Sequence, residues 1–356
     1  LSNLDEAEVY TKYDPDGMLA RIQEFPGVML KAWQMAEDFE LPEGYDQINK
    51  VVILGMGGSA IGGDLVSGLL AEESSVPIQI NRSYGLPAYV DAQTLVIASS
   101  YSGNTEETLS AFEKALATEA KKLVITTGGK LKKLAKKNKV PVFSFDYKAQ
   151  PRAALAYSFL PILNFLQRMG LTGDRSAEVA EASAVLEQMA RKISKKVPLK
   201  RNPAKQMAMG LQGRLTVIYG ADLLAEVAHR WKTQLNENAK AWAFHEVFSE
   251  LNHNAIVGYQ FPAELASRIT VIILRSVYLP EQIIRRQQVT AELLTKAKVR
   301  THFIDGYGIS PITQMMSLVL IGDYVSYYLA ILNETDPSPV PTIDFLKAEL
   351  ARQQEK

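Results

Sequence analysis

The sequence predicts an α/β protein of two domains, each a mainly parallel β-sheet covered on both faces by helices, a three-layer αβα sandwich. Three observations carry this. A length of 356 residues exceeds one ordinary core and suits two. Short β-branched runs alternate with helical stretches, the pattern of parallel strands joined by crossover helices. A strand, a glycine turn and an apolar helix near residue 50 recur near residue 215, as an internal duplication would produce.

In chain order, Met18 to Phe39 reads as a helical lead-in. Lys50 to Leu54 is a strand that stops at the cluster Gly55-Met56-Gly57-Gly58-Ser59-Ala60-Ile61-Gly62-Gly63-Asp64, and an apolar helix follows. Further strands fall near Pro77 to Ile80, Thr94 to Ala98, Lys122 to Thr126 and Val140 to Phe145, with helices over Thr105 to Leu116 and Leu131 to Asn138. The lysine-rich stretch Lys130 to Lys139 is the solvated face of a helix lying on the sheet. Ala153 to Leu166 and Met315 to Leu332 read as buried helices, because both fall short of an uninterrupted membrane span and Asp323 breaks the second.

A polar helical stretch from Gly170 to Lys200 ends in Val197-Pro198 and Asn202-Pro203 and connects the halves, which are expected to span 1–175 and 176–356. The second half opens with a strand over Leu215 to Tyr219, the turn Gly220-Ala221-Asp222 and a helix, and continues with strands near Thr270 to Leu274 and Lys298 to Ile304. Asp336-Pro337-Ser338-Pro339-Val340-Pro341 is a stiff arm, able to reach a site or a neighbouring subunit, ahead of a last helix from Thr342.

Composition narrows the function classes. Lys plus Arg equals Asp plus Glu, 39 against 39, so no charge excess exists to hold nucleic acid. The chain has no cysteine, which removes disulfides, thiol nucleophiles and thiolate metal sites and suits the cytoplasm. Leu1 to Asp14 has no basic segment followed by an apolar run, so nothing there reads as a signal peptide, and no membrane partner is expected.

Gly55, Gly57 and Ala60 fit the GxGxxA spacing of a dinucleotide turn. A ribose-binding acid should then end the second strand, yet that strand runs into Asn81-Arg82-Ser83, which leaves only an NADP variant open through Arg82. The third strand empties into Ser99-Ser100-Tyr101-Ser102-Gly103-Asn104-Thr105-Glu106-Glu107-Thr108 before a helix. One hydroxyl suffices for an N-cap. Ser100, Ser102 and Thr105 together, at the positive end of a helix, make a cradle for a phosphate monoester, with Glu106 and Glu107 as ordinary first-turn residues.

Gln150-Pro151-Arg152-Ala153-Ala154-Leu155 places an arginine at the entrance to an apolar helix, and Asn236-Glu237-Asn238-Ala239-Lys240 is a polar turn of an otherwise apolar one. His245-Glu246 and Glu250-Leu251-Asn252-His253-Asn254 follow. An aldose-ketose isomerase needs a base to carry a proton between C1 and C2, a group to open the sugar ring and a cation beside the enediolate, roles that Glu, His and Arg suit. His245 and His253 lack the HExxH spacing, so no metal is expected. Trp231 and Trp242, flanking Glu237, read as core.

The blocks Gly57-Gly58-Ser59 and Ser100 to Thr105 resemble the sugar isomerase (SIS) domain. With Arg152, Glu237, His253 and the terminal Ile343-Asp344-Phe345-Leu346-Lys347, nearly the whole chain resembles the bifunctional phosphoglucose/phosphomannose isomerase family. The resemblance implies two SIS-type domains. It implies Gly57, Gly58, Ser59, Ser100, Ser102 and Thr105 around the phosphate of a sugar 6-phosphate, Glu237 as the base and His253 as the ring opener. Arg152 would steady the enediolate and Lys347 would touch the ring oxygen. It further implies no cofactor, no metal and a homodimer in which the partner supplies the histidine. A sugar-phosphate sensor without chemistry, an aminosugar-phosphate isomerase and an NADP-dependent oxidoreductase remain the alternatives.

Overall fold

The computed structural model describes residues 3–354, and within them the strands form two all-parallel sheets. Two helices, α1 (Ala7–Tyr13) and α2 (Met18–Glu37), lead into the first. Its course is β1 (Lys50–Leu54), α3 (Gly57–Leu69), β2 (Ile78–Asn81), β3 (Thr94–Ser99), α4 (Glu106–Leu116), β4 (Lys121–Thr126), α5 (Gly129–Lys137) and β5 (Val142–Ser144), in the order β2-β1-β3-β4-β5. Both faces of β1 and β3 are covered, so these strands are continuously apolar instead of alternating. Val51, Ile53, Leu95 and Ile97 pack with α2, α3 and α6 (Leu155–Arg168), while Val52, Leu54, Val96 and Ala98 pack with α4 and α5.

Past α7 (Ser176–Lys192) and α8 (Pro203–Leu211), the second sheet is built from β6 (Leu215–Ala221), α9 (Ala225–Glu237), β7 (Ala243–Phe248), α10 (Ala263–Ala266), β8 (Ile269–Arg275), α11 (Glu281–Lys296) and β9 (Arg300–Asp305), in the order β7-β6-β8-β9. Then come α12 (Pro311–Leu332) and α13 (Pro341–Gln354). Helix α12 is long and apolar enough to cross a membrane, but 94% of its most apolar window is buried in the protein. A helix apolar on all sides belongs in a core. It packs on α2, α7, α8 and α9, so one apolar core runs from the first sheet to the second.

The sequence reading missed one strand and misplaced one tryptophan. The segment carrying His245 and Glu246 is the edge strand β7, in which Phe244 and Glu246 are exposed and His245 is half-buried. Its order A-F-H-E-V-F, two polar residues between apolar pairs, lacks the two-residue alternation that marks a strand. Trp231 is core, but Trp242 is 74% exposed beside that edge strand.

Candidate functional site

In a doubly wound parallel sheet, ligands bind at the carboxyl ends of the strands where successive connections leave for opposite faces. Here that point lies between β1 and β3, since α3 and α4 cover opposite faces. Gly57, Gly58 and Ser59 open α3 on one side of the crevice, and Ser100 to Thr105 line the other. The hydroxyl of Ser59 accepts the Tyr101 N–H at 2.9 Å, which ties the two turns together. Ser100 Oγ lies 2.9 Å from Thr105 Oγ1 and accepts the Gly103 N–H at 3.1 Å. The exposed Ser102 hydroxyl accepts the Asn104 N–H at 3.2 Å. Gly103 has φ +66°, and a Cβ there would fall 1.9 Å from the Gly128 carbonyl oxygen. Thr105 occupies the N-cap of α4 without a side-chain capping bond, and the amino end of that helix, where anions are favoured, faces this turn. Arg82, the residue that left the NADP reading open, is bonded to Asp64 instead.

The second cluster meets the first at Gly58. A Cβ there would lie 2.8 Å from the Pro151 carbonyl and 2.9 Å from the Arg152 Cα, so glycine lets the two segments touch. Arg152 sits in a 3₁₀ turn over Pro151–Ala153 and is 3% exposed. Its guanidinium makes four hydrogen bonds. Nε donates to Asn238 Oδ1 at 2.7 Å, Nη1 to Glu237 Oε2 at 3.2 Å, and Nη2 to the carbonyls of Pro337 and Ser338 at 2.5 and 3.0 Å. Burial lowers its pKa and the Glu237 carboxylate opposes that. Glu237 is the last residue of α9, with its side chain 28% exposed, and Asn238 caps the helix. The arm before α13 thus does reach the site, through two main-chain carbonyls.

A buried network fixes these groups from behind. Arg230 donates to the Arg152 carbonyl at 3.2 Å and to both Asp323 carboxylate oxygens at 3.1 and 2.8 Å. Gln234 donates to Asp323 at 2.8 Å. Asn238 Nδ2 donates to Ser326 Oγ at 3.0 Å, and that hydroxyl donates to the Asp323 carbonyl at 2.9 Å. Asp323 therefore steadies the Arg152 main chain through Arg230 and its guanidinium through Ser326 and Asn238. Sequence reasoning noted it only as the break in an apolar helix. An isolated carboxylate in such a run, which must find a buried partner, was the signal available.

The remaining expected residues are not drawn in. His253 is exposed in a 3₁₀ turn over Glu250–His253 and makes no hydrogen bond or ion pair among the described residues. Lys347 is exposed on α13. His245 stacks on His229, ring centroids 4.7 Å apart. Asp64, Glu226 and His229 bring ligand-type atoms within 4.8 Å of one another, but Asp64 is already paired with Arg82, and Glu226 with His229 Nδ1 at 2.9 Å.

Two parallel sheets flanked by helices, with a hydroxyl-rich turn at the switch point, are the architecture of an SIS-fold protein. Residues 200–350 match the family described as bacterial phospho-glucose isomerase C-terminal SIS domain. Over 335 residues the chain is 42% identical to the bifunctional phosphoglucose/phosphomannose isomerase of Caldicellulosiruptor bescii, covering 94% of this chain and 99% of that protein. It is 34% identical to the Aquifex aeolicus protein of the same name, covering 85% of this chain and 90% of the relative. The C-terminal domain of glucosamine-fructose-6-phosphate aminotransferase from Francisella tularensis shares the fold at a TM-score of 0.71 and 15% identity, covering 91% of this chain and 99% of that one. The chain belongs to the bifunctional phosphoglucose/phosphomannose isomerase family.

Proposed function

We propose that this protein interconverts glucose 6-phosphate and mannose 6-phosphate with fructose 6-phosphate through a cis-enediol, without a metal or cofactor. The observation that carries the reading is the Arg152–Glu237 pair, 3.2 Å apart and in backbone contact with the phosphate turn through Gly58. Ser59, Ser100, Ser102, Thr105 and the amides of Gly57 and Gly58 hold the phosphate. Glu237 removes the proton from C2 of the open-chain aldose and returns it to C1, while the proton of the 2-hydroxyl passes to O1, so the base is regenerated and C2 becomes the carbonyl. Arg152 balances the negative charge that develops on the enediolate oxygens. His253 and Lys347 serve ring opening and the ring oxygen. Since His253 is exposed and bonded to neither Arg152 nor Glu237, the reading takes it from the partner in a homodimer. It also places the division between the domains at residues 175 and 176, and the protein in the cytoplasm.

The test feeds fructose 6-phosphate to EDTA-treated protein and detects the two aldoses separately. Formation of both supports the proposal, and glucose 6-phosphate alone narrows it. Neither product sinks the enzymatic reading and favours a sensor.

A further inference from the structure

We infer that Lys240 is a positioning residue: with Arg152 it straps the C-terminal arm onto the carboxyl end of α9 and so holds Glu237 beside the guanidinium. Lys240 follows α9 in the left-handed region, φ +52°, which non-glycine residues seldom occupy without a compensating contact. That backbone turns the side chain back along the helix. Its ammonium donates to the Glu237 carbonyl at 2.8 Å and the Asn238 carbonyl at 3.4 Å, the placement in which a cation satisfies the last carbonyls of a helix. The same ammonium donates to the Pro337 carbonyl at 3.2 Å, which also accepts from Arg152.

One arm carbonyl is therefore shared by two cations. Arg152 binds the side chain of Glu237 and Lys240 binds its main chain, while Asn333 adds a third tie, donating to the Ala239 carbonyl at 3.0 Å. Loss of Lys240 removes the direct tie between the end of α9 and the arm and leaves Arg152 as the remaining link between them. The charged groups facing Lys240 are Arg152 from the 3₁₀ turn, Asp336 from the arm and Glu237 from α9. Burial and then Arg152 push its pKa down to about 8. As pH rises through about 8 the ammonium loses its charge, and the strap weakens.

The kinetic part of the inference rests on the isomerase reading; the structural part does not. The test compares the full-length protein with Lys240→Met and Lys240→Arg, neither of which alters the backbone preference at that position. Hydrogen exchange across residues 333–346, without substrate, is expected to accelerate about tenfold in Lys240→Met and to stay near wild type in Lys240→Arg. The kcat on fructose 6-phosphate is expected to fall between about tenfold and a hundredfold in Lys240→Met with KM little changed, since a small misplacement of a reacting group costs that much. The alkaline fall in kcat near pH 8 should vanish in Lys240→Arg. Unchanged exchange in Lys240→Met overturns the strap, whatever the protein catalyses. Faster exchange with unchanged kcat overturns its link to Glu237. If wild type does not isomerise at all, the exchange result still decides the strap while the functional reading falls.

Discussion

Glu237 stands partly open while the guanidinium it faces is enclosed, so removing each should have a different signature. In Glu237→Gln the amide keeps the shape but cannot accept a proton. The kcat should fall by about a hundredfold to ten-thousandfold with sugar phosphate still bound, read by steady-state kinetics and calorimetry. Near-normal turnover would remove Glu237 as the base. In Arg152→Lys a single ammonium replaces a fork that serves Asn238, Glu237, Pro337 and Ser338, leaving buried acceptors unpaired at about 1 to 3 kcal/mol each. The variant should melt several degrees below wild type and show little turnover. Arg152 and Glu237 were legible because their motifs are local. Asn238 was legible as a neighbour but its task was not, since nothing in a linear sequence shows a side chain bridging Arg152 and Ser326.

The elements depend on how closely their backbones approach. Helix α3 meets the turn that carries Arg152 only because Gly58 has no side chain. Gly58→Ala should cost about 1 to 3 kcal/mol in urea unfolding, as overpacking does, and weaken competitive inhibition by inorganic phosphate by shifting the turn that holds it. Unchanged phosphate inhibition would separate α3 from the phosphate site. Asp323→Asn leaves Arg230 buried without its counter-charge, and the loss should reach about 3 to 5 kcal/mol by the same measurement. At this scale the strands of the first sheet were legible because each apolar run ends at a turn signal. Strand β7 was not, because an edge strand has one wet face and its histidine and glutamate look like functional residues.

Across the whole molecule, the duplication near residues 50 and 215 announced two parallel sheets, but not that α12 would merge their cores. Sequence periodicity cannot show which buried helix lies between two halves. The exposed positions of His253 and of α13, with Phe345 and Leu346 in the open, are where the proposed dimer must contribute. Mixing Glu237→Gln with His253→Ala protein should restore about a quarter of wild-type activity after subunit exchange, because one site in each mixed dimer regains both groups. No recovery would mean that the histidine does not cross subunits. The Arg152 fork has a last consequence. Its partners lie 85 to 186 residues away along the chain, and such long loops close late in folding. A nascent chain emerging from the ribosome can complete its first sheet long before Pro337 and Ser338 exist, so the proposed centre is assembled only once the arm has been made, and a product truncated ahead of it lacks two of the fork's four partners however well its first half has folded.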